Sequence, residues 1–136
     1  METVETQLPS SVSSPQLARA FLRSALETWK LDGFGDVTEL LVTELVTNVV
    51  THVGEPMMLR VRRHALTMRV ELDDPSSEIP VVRHPGSGDE HGRGVLLVDE
   101  LANTWGIDTR EGDGKTVWFE LDVSTATAEV HGSGDR

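Results

Sequence analysis

A chain of 136 residues, 38% hydrophobic and 26% charged, has the size and balance of one folded domain: too short for two cores and too apolar for disorder. Its 12 Lys and Arg against 23 Asp and Glu give a net charge of −11, the wrong sign for neutralising nucleic-acid phosphates. With no cysteine, no leader-like N-terminus and no apolar run near the ~18 residues of a membrane span, a disulfide framework, a zinc–thiolate site and membrane insertion are set aside, and the cytoplasm is the expected location.

Residues 1–13 form an N-terminal segment with room for an edge strand at about Val4 to Leu8. Ser14 before Pro15 reads as an N-cap with proline at the first helical position. Leu17, Phe21, Leu22, Ala25 and Trp29 then recur at helical spacing, predicting a helix that stops before Gly33. From Val37 onward the apolar positions Leu40, Leu41, Val42, Leu45, Val46, Val49 and Val50 cover a broad face, so a second helix is expected to lie buried against a sheet. Gly54 and Pro56 end it.

Met57 to Arg63 and Leu66 to Leu72 alternate apolar with charged residues around His64-Ala65, the pattern of a hairpin with one wet face. Between Asp73 and Gly94 the chain is rich in proline, glycine and charge, and too long for a simple connector, which marks a functional loop. Val95 to Leu101 reads as a short helix. Thr104 to Asp108 and Thr116 to Val123 read as strands on either side of the turn Glu111-Gly112-Asp113-Gly114, and residues 124–136 as a small, polar, disordered tail. This order of helices and strand pairs predicts an α+β two-layer sandwich, with the domain proper spanning residues 14–123.

Four segments carry chemistry. In Thr43 to His52, the polar residues Glu44, Asn48 and His52 stand four apart on an otherwise mostly apolar helix. An Asn oxygen at this spacing is a hard ligand suited to Mg²⁺, and a carboxylate one turn away can accept a proton from an attacking hydroxyl. An exposed polar face is the plainer reading, but such a face normally carries Lys or Arg, and none occurs between residues 37 and 52.

In Val70 to Ser76 a strand runs into a turn with Asp73 and Asp74 at its end. A carboxylate accepts only, so it selects an amino group such as the exocyclic one of adenine; turn chemistry alone also explains Asp, Pro and Ser there. Gly86 to Gly94 precedes a helical run, and its glycines let backbone N–H groups cradle phosphate, with Arg93 adding charge. It matches neither a Walker loop nor a dinucleotide fingerprint. In Gly112-Asp113-Gly114-Lys115-Thr116, a threonine hydroxyl enters the last strand, where it can bond phosphate or the water linking adenine to a carboxylate.

In this order the four segments resemble the N, G1, G2 and G3 boxes of the GHKL ATPases. They are closest to the short actinomycete-type anti-sigma regulators whose boxes look like Glu-Leu-Val-Thr-Asn, Asp-x-Ser, His-Gly-Arg-Gly and Gly-Lys-Thr-Val-Trp. The resemblance covers about residues 14–123 and implies a Bergerat fold: a mixed, mostly antiparallel sheet with helices on one face. Carried over by position, it implies that Glu44 is the catalytic or water-orienting acid, Asn48 the Mg²⁺ ligand and Asp74 the adenine carboxylate. Asp74 is assigned by its distance to Pro80 in the Asp-x-Ser pattern, with Asp73 as the fallback. Ser76 replaces the usual glycine two residues later, Gly92, Arg93 and Gly94 form the phosphate loop, and Thr116 supplies the last hydroxyl.

The resemblance further implies ATP and Mg²⁺ as cofactors and a homodimer. Its partners would be a sigma factor and an anti-anti-sigma protein of the sulfate-transporter-and-anti-sigma (STAS) type, phosphorylated on serine or threonine. The alternative is a degenerate GHKL module that sequesters its partner without phosphoryl transfer.

Overall fold

The computed structural model describes residues 2–76, 98–109 and 114–124. The chain order is strand β1 (Glu2–Leu8), helix α1 (Ser14–Thr28), a 3₁₀ turn (Asp32–Phe34), helix α2 (Gly35–His52), and strands β2 (Met57–His64), β3 (Thr67–Asp74), β4 (Thr104–Thr109) and β5 (Lys115–Asp122). The strands form one sheet in the order β1-β2-β3-β5-β4, and every pairing is antiparallel. Among the described residues every strand neighbour is antiparallel, joined by hairpins and long returns, as a mostly antiparallel sheet requires. The α+β class stands.

Both helices pack against the sheet, and the core between the layers is formed by Leu22, Leu26, Leu41, Val42 and Val46 from the helices with Leu59, Val61, Val70, Leu72 and Phe119 from the strands. The helices run antiparallel, because Arg19 of α1 donates to the Thr43 hydroxyl at 3.0 Å while Arg23, one turn further along α1, meets Glu39, one turn back along α2, at 2.7 Å. That pairing consumes polar groups of α2 on the α1 side. Among the described residues, no helix is long and apolar enough to cross a membrane.

Local details differ from the sequence reading. The N-cap of α1 is Ser13, and Ser14 lies inside the first turn, fully buried, with its hydroxyl donating to the Pro9 carbonyl. Pro15 still occupies the first turn, where its missing N–H costs no helical bond. Helix α1 closes through Lys30 in the left-handed region (φ 59°), with Leu31 N–H donating to the Leu26 carbonyl at 2.8 Å. The edge strand starts at Glu2 and pairs along its full length with β2. The hairpin turn sits one residue later than expected: His64 pairs with Thr67, leaving Ala65 and Leu66 as the two loop residues, with Ala65 at φ 54°. Of the loop expected between Asp73 and Gly94, residues 77–94 lie outside the described residues, as does the tail beyond Ser124, and of the short helix only residues 98–101 are described, as helical.

Candidate functional site

Strand alternation decides which carboxylate faces the helices. In β3, Met68, Val70, Leu72 and Asp74 are buried on the helix-facing side, whereas Thr67, Arg69, Glu71 and Asp73 point to the opposite, outer face. Asp74 is the last residue of the strand, since Pro75 has no N–H with which to continue the ladder. Its carboxylate Oδ1 instead accepts from the Ser76 N–H at 2.8 Å, an Asx turn that locks the strand's exit.

Across the sheet, Asp74 is register partner to Lys115, the first residue of β5. The Lys115 Nζ lies 3.0 Å from Asp74 Oδ1 and 3.3 Å from the Ser76 carbonyl oxygen. Both side chains are deeply buried, Lys115 4% exposed and Asp74 2%. A buried carboxylate is costly unless its charge is met, and this ammonium meets it. Lys115 was not singled out from the sequence, although a signal existed: Val117, Phe119 and Leu121 alternate inward, so strand parity places Lys115 inward too.

The same parity turns Thr116 outward. Its hydroxyl donates to Asp73 Oδ1 at 2.6 Å on the outer face, so the structure does not bring Thr116 to Asp74. Asp73 also accepts from Arg60 Nη2 at 2.9 Å, and Arg60 reaches Glu71 at 2.7 Å and Glu5 at 3.1 Å. Arg62 and Arg69 converge on Glu71 as well, and Arg69 stacks 3.9 Å over the Trp118 ring. Burial pushes the Glu71 carboxyl up, but hydrogen bonds from Arg60 and Arg69 and the charge of Arg62 outweigh it and hold the group below the ordinary carboxylate range. A cavity of about 420 Å³ on this face is lined by Arg62, His64, Thr67, Arg69, Glu71 and Glu120, and is separated from Asp74 by the sheet.

On α2, Glu44 and Asn48 are half-buried and His52 is exposed. No hydrogen bond or ion pair among the described residues engages Glu44 or Asn48, which leaves both side chains available to a ligand. A single Asn oxygen suits Mg²⁺, which retains waters and shares phosphate oxygens rather than filling an all-protein cage. Gly92, Arg93 and Gly94 lie outside the described residues. What the structure brings together is thus Asp74, Ser76 and Lys115 on the helix-facing side, and Asp73 with Thr116 on the other.

The chain matches the family described as the histidine kinase-like ATPase domain over residues 8–121. It is 36% identical over 105 residues to the uncharacterized protein SCO4941 of Streptomyces coelicolor, an alignment covering 68% of this chain and 99% of that protein. Among solved structures, it is similar to the histidine kinase domain of the blue-light activated histidine kinase from Erythrobacter litoralis EL346, with a TM-score of 0.52 and 21% identity. That superposition covers 84% of this chain and 63% of the kinase domain, and it speaks for the fold alone.

Proposed function

This chain belongs to the histidine kinase-like ATPase domain family, which implies an ATP-binding domain typically working with Mg²⁺, and from that premise we propose that it is a regulatory anti-sigma factor with protein serine/threonine kinase activity toward a STAS-type anti-anti-sigma partner. The observation that carries the nucleotide reading is the carboxylate of Asp74, buried at the helix-facing end of β3 where a strand passes into a turn. A buried acceptor there selects a base that offers an amino group, because a carbonyl in its place would leave the carboxylate facing another acceptor.

The remaining roles follow from side-chain chemistry. Asn48 supplies an oxygen to Mg²⁺, and Glu44, one helical turn away, takes or orients the proton of the attacking serine or threonine hydroxyl. Gly92, Arg93 and Gly94 hold the phosphates through backbone N–H groups and one guanidinium. Mg-ATP supplies the transferable phosphoryl group. In this reading the protein acts as a homodimer, with a sigma factor and the STAS protein as its partners.

The test is to incubate the full chain with labelled ATP, Mg²⁺ and a purified STAS protein and to follow label. Transfer to a serine or threonine of the partner is the expected result. ATP binding with no transfer would contradict the kinase assignment and leave a module that works by sequestration.

A further inference from the structure

The Lys115–Asp74 pair goes beyond a single carboxylate reading a single amino group. We infer that Lys115 is a second base-reading residue, whose ammonium donates to N1 of adenine while Asp74 accepts from the neighbouring exocyclic amino group. This rests on the ATP-binding reading above and sharpens it.

Three observations lead there. Register places Asp74 and Lys115 side by side on adjacent strands, at the last rung of β3 and the first of β5, both turned to the helix-facing side. Their polar ends, 3.0 Å apart, present one acceptor next to one donor. An ammonium carries three N–H donors, and the acceptors found for it, Asp74 Oδ1 and the Ser76 carbonyl, account for two. Among the described residues the third meets no acceptor, which leaves it for a ligand.

Adenine's edge is the complement of that arrangement, a donor at the amino group beside an acceptor at N1. A carboxylate alone would satisfy only the first and leave N1 desolvated without a partner, which has a cost. Guanine shows the opposite order, with an acceptor at position 6 and a donor at N1, so each of its groups would face its like. The Ser76 carbonyl and the Asx turn hold the ammonium and carboxylate in one order, which prevents the pair from rearranging to suit guanine. The Thr116 hydroxyl donates to Asp73 on the opposite face of the sheet.

A purely structural ion pair would tie the two strand ends together and be indifferent to the base. The two readings separate by calorimetry on the full chain with Mg²⁺ complexes of ATP, of its 1-deaza analogue, which lacks only the N1 acceptor, and of purine riboside triphosphate, which lacks only the amino group. The wild-type protein should bind the 1-deaza analogue about tenfold more weakly than ATP, the worth of one charge-assisted hydrogen bond. In Lys115→Met the gap between ATP and the 1-deaza analogue should close, while the penalty for losing the amino group persists. Equal wild-type affinity for ATP and the 1-deaza analogue overturns the role of Lys115 and leaves ATP binding standing. That comparison needs no variant, so poor folding of Lys115→Met does not shelter the idea. If the wild-type protein binds none of the three nucleotides, the ATP reading itself falls, and the inference with it.

Discussion

The two faces of the sheet hold charge in opposite ways. On the outer face, Glu5, Arg60, Arg62, Arg69, Glu71, Asp73 and Glu120 form one connected network whose hubs, Arg60, Arg69 and Glu71, each meet several partners. On the helix-facing side the buried Asp74–Lys115 pair stands at the sheet's end, tied to the backbone of Ser76. A distributed network tolerates partial burial by compensating its central charges more than once, and it ties neighbouring strands together. A buried ion pair contributes little net stability against its desolvation, so stability alone is a weak reason for this one.

That contrast predicts that changes on the helix-facing side alter function at constant fold, and changes on the outer face alter fold. The largest effect is expected for Glu44→Gln, which keeps size and polarity but loses the charge that handles the proton. Phosphoryl transfer should drop by about 10²-fold or more with nucleotide affinity unchanged, as read by labelled transfer beside calorimetry. Next is Glu71→Gln on the outer face. It leaves three guanidinium groups short of their shared counter-charge and should lower unfolding free energy by about 2 kcal/mol in a denaturant titration.

The same substitution should change the acid limb of stability. The folded Glu71 carboxyl titrates below its ordinary range, so its contribution is complete above the unfolded value of about 4.3 and is lost as pH falls through the folded one. Wild-type stability should therefore decline on acidification below about pH 4.3, and Glu71→Gln should flatten that decline. A slope identical in both proteins would show that other carboxylates carry it.

Gly106→Ala probes the outer face by shape instead of charge. A Cβ at residue 106 would lie 2.7 Å from the Trp118 ring, which Arg69 covers from 3.9 Å, so the ring has little room to yield. A loss of about 1–3 kcal/mol in thermal or chemical unfolding is expected. The smallest effect belongs to neither face: Lys30→Gly relieves the left-handed residue that closes α1 and should stabilise the domain by about 0.5 kcal/mol.

How much of this was legible in the sequence follows from the periods involved. The broad apolar face of α2 and the alternation of β2 and β3 are local patterns, and they located the elements and the burial of their apolar sides. The hairpin turn slipped by one residue because Ala65 adopts φ 54°, a conformation that local preference assigns to Gly or Asn. The strand order and the Asp74–Lys115 contact depend on which strands become neighbours and in what register, over a separation of 41 residues, and no local pattern encodes that. The inward parity of Val117 and Phe119 pointed to the lysine before it.

The most direct test sets the two faces against each other with one chemical change, carboxylate to amide, at adjacent residues. Calorimetric titration with Mg-ATP should show Asp74→Asn binding about a hundredfold more weakly than wild type, since a buried charged acceptor is replaced by a group that also presents donors to the adenine amino group. Asp73→Asn, one residue away on the outer face, should bind within about twofold of wild type. Undiminished affinity in Asp74→Asn together with a large loss in Asp73→Asn would place the nucleotide on the wrong side of the sheet and contradict the site described.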